Sequence, residues 1–215
     1  MKIGILGGSF NPIHNGHLRI AIEVLESLSL DRVELVPAPH PPHKSPEDLL
    51  TFPLRYEMVI KAIADVEGLL VSPIEANREG PSYTVDTLRE YNEVYEGEEL
   101  FFIIGGDELS SLDTWYRWKD IFELANVVVV GRGGEDHRYV DRFLERHFCI
   151  SPQREQGVVV WPLEGKKVLY LAIPRLEISS SLIREKVRAR HRIRGLVPFP
   201  IEEDIYKYYT GREKG

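Results

Sequence analysis

Cysteine and long apolar runs are scarce in this chain, and their scarcity excludes several classes of protein. Cys149 is the only cysteine among the 215 residues, so an internal disulfide framework is excluded and a lone thiol is too isolated for a zinc cluster. The first apolar run begins at Ile3 and stops at Gly7, far short of a signal-peptide core or a membrane span. We therefore expect a cytoplasmic protein that does not enter a membrane.

Excess positive charge is also missing. The chain has 27 Lys and Arg against 34 Asp and Glu, a formal net charge of −7, which argues against a broad surface for nucleic acid. Residues 184–194 are locally basic, and they form either a solvated helix face or a surface that contacts a polymer. Hydrophobic residues make up 43% of the chain, enough for the core of one α/β domain over residues 1–215.

Short apolar runs alternate with stretches of helical periodicity along the chain. This alternation predicts a doubly wound, Rossmann-like parallel sheet, and the unbroken apolar run 101–104 indicates strands buried on both faces. A weaker run at 158–161, followed by Gly165, predicts a hairpin-like excursion with the next strand. The predicted strands are 3–6, 33–36, 69–71, 100–104, 127–130 and 168–173. The apolar stripes of three helices, which we assign to the core, are Leu18, Ile22 and Leu25, then Leu54, Met58 and Ala62, then Val85, Leu88 and Tyr95.

A glycine-rich segment between the first strand and the first helix predicts a phosphate site. This phosphate loop, residues 7–17, reads Gly-Gly-Ser-Phe-Asn-Pro-Ile-His-Asn-Gly-His, and paired glycines let the chain turn tightly and approach a ligand. Asn15 or Gly16 would cap the helix, whose first N–H groups and dipole favour an anion. His14 and His17 are three residues apart and can point to one spot, so together they indicate polyphosphate. The alternative is a glycine-rich turn with two incidental histidines.

A second anion site is predicted where a later helix starts. Residues 178–184 read Ile-Ser-Ser-Ser-Leu-Ile-Arg, and serines are ordinary helix N-caps. A cap does not explain Arg184, which we place in the first turn, where the helix dipole disfavours a cation. An external anion would remove that conflict. The alternative is a set of serine caps beside a surface arginine.

Two segments in the first half of the chain are candidates for binding a ligand. Prolines fix the path of residues 37–44, the proline loop, which directs Lys44 either toward a ligand or into solvent. Ser82 and Thr84 stand at a predicted helix start, where they are either plain N-caps or part of a site for phosphate or carboxylate.

A third candidate segment follows the strongest predicted strand. Asp107 comes directly after that strand and its glycines, where a carboxylate can accept hydrogen bonds from ribose hydroxyls. Trp115 can stack on a flat heteroaromatic ring. The alternative is that the aromatic run 115–118 belongs to a core or an interface, which is the commoner place for such a run.

These motifs together resemble one enzyme family. The phosphate loop matches Gly-x-Phe-x-Pro-x-His-x-Gly-His, and residues 178–184 match Ile-Ser-x-[Ser/Thr]-x-x-Arg, which are signatures of the nucleotidyltransferase superfamily. With Pro-Pro-His-Lys, Pro-Ser-Tyr-Thr, Gly-x-Asp and Thr-Trp-Tyr at these separations, the chain resembles the bacterial nicotinate-nucleotide adenylyltransferases over residues 1 to about 210. The resemblance implies that AMP passes from ATP to nicotinate mononucleotide, giving deamido-NAD and pyrophosphate by direct in-line attack.

The resemblance also implies roles for individual residues. His17 would lie near the α-phosphate of ATP with His14 and Arg184 on the distal phosphates, and these three would be catalytic. Mg²⁺ would arrive with ATP, since no carboxylate cluster suggests a separate protein site. The implied ATP-binding residues are Gly7, Gly8, Ser9, Phe10, His14, His17, Gly105, Asp107, Ser180, Ser181 and Arg184, and the C-terminal helical part 179–210 would complete that site. The implied residues of the mononucleotide site are Lys44, Ser82, Tyr83, Thr84, Trp115, Tyr116 and Arg132.

Several alternatives stay open at the level of the sequence. An enzyme that prefers nicotinamide mononucleotide differs in one group of its substrate, and a non-catalytic nucleotide sensor would keep the fold. Pantetheine-phosphate adenylyltransferases share both phosphate signatures, and a class I aminoacyl-tRNA synthetase fragment lacks support because the chain has no Lys-Met-Ser-Lys-Ser type loop. Asn11 stands where aspartate is common in the family. We expect ATP and nicotinate mononucleotide as partners, no nucleic acid, and either a monomer or a homo-oligomer.

Overall fold

A mixed sheet lies at the centre of the fold. The computed structural model describes residues 1–42, 44–45, 47, 49–132, 136–155, 158–174 and 176–210, without the side chains of Arg132, Arg154 and Glu155. The strands within these residues are β1 (Lys2–Gly8), β2 (Arg32–Pro37), β3 (Leu69–Val71), β4 (Glu99–Gly105), β5 (Asn126–Arg132), β6 (Gln153–Glu155), β7 (Val158–Leu163) and β8 (Lys166–Ile173). Their order across the sheet is β3-β2-β1-β4-β5-β8-β7-β6.

The first six strands in that order are parallel. Three strands lie on one side of the boundary between β1 and β4, and the chain then crosses to build the other side, which is the Rossmann arrangement. Each of the six strands predicted as parallel lies inside one of these observed strands. The doubly wound parallel sheet expected from the alternating pattern is therefore confirmed.

Helices cover both faces of the sheet. The α-helices within the described residues are α1 (Asn15–Ser27), α2 (Phe52–Ile63), α3 (Thr84–Val94), α4 (Gly106–Leu109), α5 (Trp118–Leu124), α6 (Arg138–Phe148), α7 (Ser180–Arg188) and α8 (Glu202–Tyr209). Alternate residues of the strands enter two separate apolar clusters, one with α1, α2, α7 and α8 and one with α3, α5 and α6. Burial on both faces explains why the central strands are apolar without interruption.

The predicted helix stripes are partly displaced from the buried faces. In α1 the fully buried side chains are Ala21 and Val24, whereas the predicted Leu18, Ile22 and Leu25 are partly buried against the same cluster. Small residues at the centre of the stripe let the helix approach the sheet, and the larger residues flank it. In α2 the predicted Met58 and Ala62 are buried as expected.

The end of the sheet beyond β8 is antiparallel. β7 pairs with β8 with Trp161 opposite Val168, and the turn between them places Gly165 at φ 74°, where a residue without Cβ is favoured. The hairpin expected from the run 158–161 is confirmed. Among the helices described, none has both the length and the apolarity to span a bilayer.

Candidate active site

A large cavity opens at the carboxyl ends of β1 and β4, beside the point where the strand order reverses. Its volume is about 840 Å³, within the range of small-molecule sites. The cavity brings together residues from both anion motifs, the proline loop and the segments around 83, 107 and 115. The predicted site residues that line it are Gly7, Gly8, Ser9, His14, His17, Lys44, Ser82, Tyr83, Thr84, Gly105, Asp107, Trp115, Tyr116, Ser180 and Ser181.

Three predicted site residues are placed differently. Phe10 is only 1% exposed and belongs to the apolar core, and its ring lies so close to Gly8 that a Cβ there would be 3.1 Å from it. The Phe10 side chain therefore anchors the phosphate loop in the core and packs against Gly8. Arg184 is half-buried beside that loop and does not line the cavity. Arg132 ends β5 opposite Ile173, and its side chain lies outside the described residues.

The two histidines of the phosphate loop stack on each other at the start of α1. Their ring centroids are 3.6 Å apart with an interplanar angle of 20°. The His14 N–H donates to Nδ1 of His17 at 3.2 Å, and a neutral imidazole that accepts at Nδ1 carries its proton on Nε2. His17 is thus oriented by the backbone of its own motif. A Cβ on Gly16 would lie 3.0 Å from Nδ1 of His14, so a glycine at this position avoids a close contact with the His14 ring.

The N-cap expected at Asn15 or Gly16 is wrong, because His14 occupies that position and α1 begins at Asn15. Asn15 donates two hydrogen bonds to a turn near the C-terminus. Its side-chain amide donates to the Gly195 carbonyl at 2.8 Å, and its backbone N–H donates to the Leu196 carbonyl at 3.0 Å. The first amide of the helix is therefore already bonded within the protein.

The second anion motif is packed against the phosphate loop. Ser179 is the N-cap of α7, and its Oγ accepts the Leu182 N–H at 3.1 Å. The Ser180 hydroxyl donates to the Pro12 carbonyl at 2.9 Å. The start of α7 is thereby attached to the loop that carries the histidines.

The expectation that Arg184 lies in the first turn of its helix is wrong. It is the fifth residue of α7, beyond the turn in which the dipole opposes a cation. Its Nη1 donates to the Asn11 carbonyl at 2.7 Å, and its Nη2 donates to Ser181 Oγ at 3.1 Å. Hydrogen bonds within the protein therefore stabilise the Arg184 guanidinium, so an external anion is not required to explain its position.

The proline loop is joined to the segment before α3. The His40 N–H donates to Ser82 Oγ at 3.3 Å, and the Ser82 N–H donates to the His40 carbonyl at 2.9 Å. Tyr83 is the N-cap of α3, and no side chain caps that helix, so the plain-cap interpretation of Ser82 and Thr84 is wrong. The Tyr83 ring lies 4.6 Å from that of Tyr116, which connects this wall of the cavity to the aromatic run 115–118, the aromatic segment.

The aromatic segment divides into a structural part and a part that faces the cavity. Trp118 makes edge contacts with Phe122, Phe143 and Phe148 in the core, as the core interpretation predicts for that residue. Trp115 is half-buried and lines the cavity. Nearby, the Gly105 N–H donates to Oε2 of Glu108 at 2.8 Å, which fixes the turn that presents Asp107.

Sequence reasoning missed Glu75, a buried carboxylate that borders the cavity. Its Oε1 accepts from the Thr87 hydroxyl at 2.5 Å. Oγ1 of Thr87 in turn accepts from Arg78 Nη1 at 2.9 Å. Burial raises the pKa of Glu75 above its usual value, opposed by hydrogen bonds from Thr87 and Ser82. The sequence gives no sign that Glu75 is buried beside the cavity, because a single glutamate between a short strand and a helix usually lies on a protein surface.

Two more buried polar residues hold the loops of the site and were also missed in this role. Oδ1 of Asn11 accepts the Leu50 N–H at 3.1 Å and the Tyr209 hydroxyl at 2.7 Å. Arg55 is 1% exposed and shares the buried face of α2 with Met58. The sequence did carry a signal for Arg55, because this cation stands three residues before Met58, at the helical spacing of the apolar stripe of α2. Within the described residues, no group of three or more His, Cys, Asp or Glu is arranged to hold a metal ion.

The chain is similar to proteins of one family over nearly its whole length. The cytidylyltransferase-like family matches residues 5–186. A probable nicotinate-nucleotide adenylyltransferase of Maridesulfovibrio salexigens is 45% identical over 205 residues, 94% of each chain. Another from Geotalea daltonii is 44% identical over 219 residues, 99% of this chain and 100% of the relative.

Solved structures agree on the fold. Plasmodium falciparum nicotinic acid mononucleotide adenylyltransferase complexed with NaAD matches with a TM-score of 0.75 at 19% identity, over 98% of each chain. The same enzyme complexed with APC matches with a TM-score of 0.72 at 18% identity, again over 98% of each chain. The family match and the two relatives show that the chain belongs to the nicotinate-nucleotide adenylyltransferases of the cytidylyltransferase-like family.

Proposed function

We propose that this protein transfers AMP from ATP to nicotinate mononucleotide, releasing pyrophosphate and forming deamido-NAD for NAD synthesis. The observation that carries the proposal is one cavity of about 840 Å³ with the stacked histidines on its wall together with Trp115 and Tyr116. Such a cavity provides both an anion site and an aromatic surface for a pyridine ring. The names of the close relatives support the same reaction.

ATP would occupy the part of the cavity bounded by β1, α1 and the start of α7. We assign His17 to the α-phosphate because its Nδ1 accepts a backbone N–H and its Nε2 then donates. His14, Ser180 and Ser181 would contact the β and γ phosphates, and Arg184 would add positive charge from beside the loop. Asp107 would accept hydrogen bonds from the ribose hydroxyls of the adenosine. Mg²⁺ would enter bound to the phosphates of ATP, the usual mode for this ion.

The mononucleotide would occupy the part bounded by the proline loop, the start of α3 and the aromatic segment. Trp115 would stack on the pyridine ring. Thr84 and the backbone N–H of Tyr116 would contact the carboxylate, which the positive end of the α3 dipole also favours. Lys44 would place a cation near the phosphates from the proline loop.

The reaction then needs alignment and charge neutralisation. A phosphate oxygen of the mononucleotide forms a bond to the α-phosphorus of ATP, while the bond from that phosphorus to the α–β bridging oxygen breaks. Pyrophosphate leaves with the bonding electrons, and no enzyme group is attacked. Holding both phosphates in line supplies the entropic part of catalysis. The histidines and Arg184 would stabilise the negative charge that develops on the leaving group.

We further propose that residues 179–210 complete the ATP site within a single domain. Ser180 and Arg184 of α7 and Tyr209 of α8 all hydrogen-bond to Asn11 or Pro12 of the phosphate loop. These contacts support the proposal because they attach the C-terminal helices to the loop that would bind the phosphates.

The proposal is tested with ATP radiolabelled at the α-phosphate. In the presence of Mg²⁺ and nicotinate mononucleotide, we expect the label to pass into a dinucleotide with one pyrophosphate released for each product. A nucleotide sensor would bind the labelled ATP and give neither product, and that result would overturn the proposal.

A further inference from the structure

The Arg55 side chain donates to three backbone segments, two of which border the cavity. Its Nη1 donates to the Ser9 carbonyl of the phosphate loop at 2.6 Å. Its Nη2 donates to the Pro39 carbonyl of the proline loop at 3.3 Å, and its Nε donates to the Leu50 carbonyl at 2.9 Å. One guanidinium on α2 therefore connects the loop on the ATP side with the loop that carries Lys44.

Leu50 extends this connection to the C-terminal part of the chain. Its N–H donates to Oδ1 of Asn11, which also accepts from Tyr209. The contacts of Arg55 and Asn11 thus fix the phosphate loop at two points, the Ser9 carbonyl and the Asn11 side chain. The adjacent Ala38 N–H donates to the Gly8 carbonyl at 2.9 Å, so the two loops also touch directly.

The guanidinium is buried without a carboxylate partner among the described residues. Arg55 is 1% exposed, and its hydrogen bonds there go to backbone carbonyls. A buried cation is costly unless its donors are satisfied, and a hydrophobic side chain would serve better if the position only filled space. The charge also lies directly behind the loop that would bind phosphates, where a positive potential favours an anion.

We propose that Arg55 is a positioning residue, which locks the phosphate loop to the proline loop so that ATP and the acceptor are held in line. The inference rests on the proposed function for its kinetic consequence alone. The geometry requires arginine, because a planar fork with separated donors reaches carbonyls on different segments. Lysine carries the same charge but has its donors on one nitrogen, and it cannot make all three contacts.

The first test is hydrogen exchange in the protein without substrates, comparing wild type with Arg55→Lys. We expect the Ala38 and Leu50 amides, which bond to the phosphate loop, to exchange about tenfold faster in the variant, while amides in the middle of β1 keep their rates. The matched control is Met58→Ala, one turn along α2 and also buried. It destabilises the core without removing a loop contact, so it should not accelerate the loop amides relative to those of β1.

The second test is steady-state kinetics of the same proteins. Misplacing reacting groups by about 1 Å costs on the order of 100-fold, so Arg55→Lys should lower kcat/KM by that order and lower kcat as well as raising KM for ATP. Met58→Ala should keep kcat within about twofold at temperatures where it is folded. A purely structural role for Arg55 would give the two variants equal kinetics once their folded fractions are matched.

A third readout uses wild type and so does not depend on a variant that folds. Nitrogen-detected NMR should show the Arg55 Nε–H and Nη–H signals separately and in slow exchange with water, because the guanidinium is buried and each of its nitrogens donates to a backbone carbonyl. Rapid averaging of these signals, or unchanged loop exchange in Arg55→Lys, would overturn the inference. If wild type releases no pyrophosphate, the proposed function fails, yet the exchange and NMR results still decide whether Arg55 locks the loops.

Discussion

The contact between Asn11 and Tyr209 joins the last helix to the phosphate loop, and it can be measured with a double-mutant cycle. Tyr209 is 3% exposed, and its hydroxyl donates to Oδ1 of Asn11, which is 1% exposed. The three proteins needed beside wild type are Asn11→Ala, Tyr209→Phe and the double variant. The backbone carbonyl of Asn11, which accepts from Arg184, is unchanged in all of them.

The expected sizes follow from the hydrogen bonds that each change removes. Tyr209→Phe removes one buried hydrogen bond and should cost about 1 kcal/mol of unfolding free energy. Asn11→Ala removes the acceptor of both the Leu50 N–H and the Tyr209 hydroxyl. Leaving a buried donor without that acceptor costs about 1 to 3 kcal/mol each, so this variant should lose about 2 to 6 kcal/mol. In the Asn11→Ala background, Tyr209→Phe no longer breaks the shared bond, so it should cost about 1 kcal/mol less than in wild type.

The assay is urea unfolding followed by tryptophan fluorescence, with unfolding free energies extrapolated to water. Tyr206→Phe is the matched control, because this residue lies on the same helix α8 and its hydroxyl accepts the Ile193 N–H at 3.1 Å. That bond does not involve the phosphate loop, so Tyr206→Phe should add to Asn11→Ala without coupling. If Tyr209→Phe is also additive with Asn11→Ala to within about 0.5 kcal/mol, the two residues do not act together and the reasoning is refuted.

Three other perturbations have defined outcomes. His17→Ala should lower kcat by about 100- to 1000-fold, because one donor to developing charge is lost, while calorimetry shows nearly unchanged binding of nicotinate mononucleotide; equal loss of both would contradict its assignment. Trp115→Ala should raise KM for the mononucleotide about tenfold, from the loss of base stacking, and an unchanged KM would remove Trp115 from the site. Burial raises the pKa of Glu75, so the folded state keeps that proton to higher pH than the unfolded state does. The unfolding free energy then falls as pH rises from the usual glutamate value to the raised one, and Glu75→Gln should become more stable relative to wild type across this interval; a difference independent of pH would be inconsistent with it.

The sheet and its ligand edge could be predicted from the sequence because each depends on local patterns. In an α/β protein, an apolar run such as 101–104 is typical of a strand buried on both faces. Paired glycines between a strand and a helix indicate that the backbone approaches a ligand closely. The first anion motif was predicted in this way, whereas the second was predicted from serines that stand beside an arginine at a helix start. Residues of both motifs line one cavity at the carboxyl edge of the sheet. The roles of these residues stay predictions.

The errors arose where a residue depends on distant parts of the chain. Asn15 is bonded to a turn 180 positions later, so its own neighbours could not show that it lies inside the helix. Arg184 was placed one turn too early, and its partner Asn11 is 173 positions away. Arg55 makes its contacts through carbonyl groups, which every residue has and no sequence pattern marks. Buried polar residues of this kind become visible only once the loops are folded together.

The central claim is that this protein adenylylates nicotinate mononucleotide, and the most direct measurement is kcat/KM for pyrophosphate release from Mg·ATP. Nicotinate mononucleotide, nicotinamide mononucleotide and phosphopantetheine are supplied separately as acceptors. The account predicts fast release with nicotinate mononucleotide and far slower release with the other two. Faster release with nicotinamide mononucleotide or phosphopantetheine would contradict it, as would ATP binding without release in the presence of any of them.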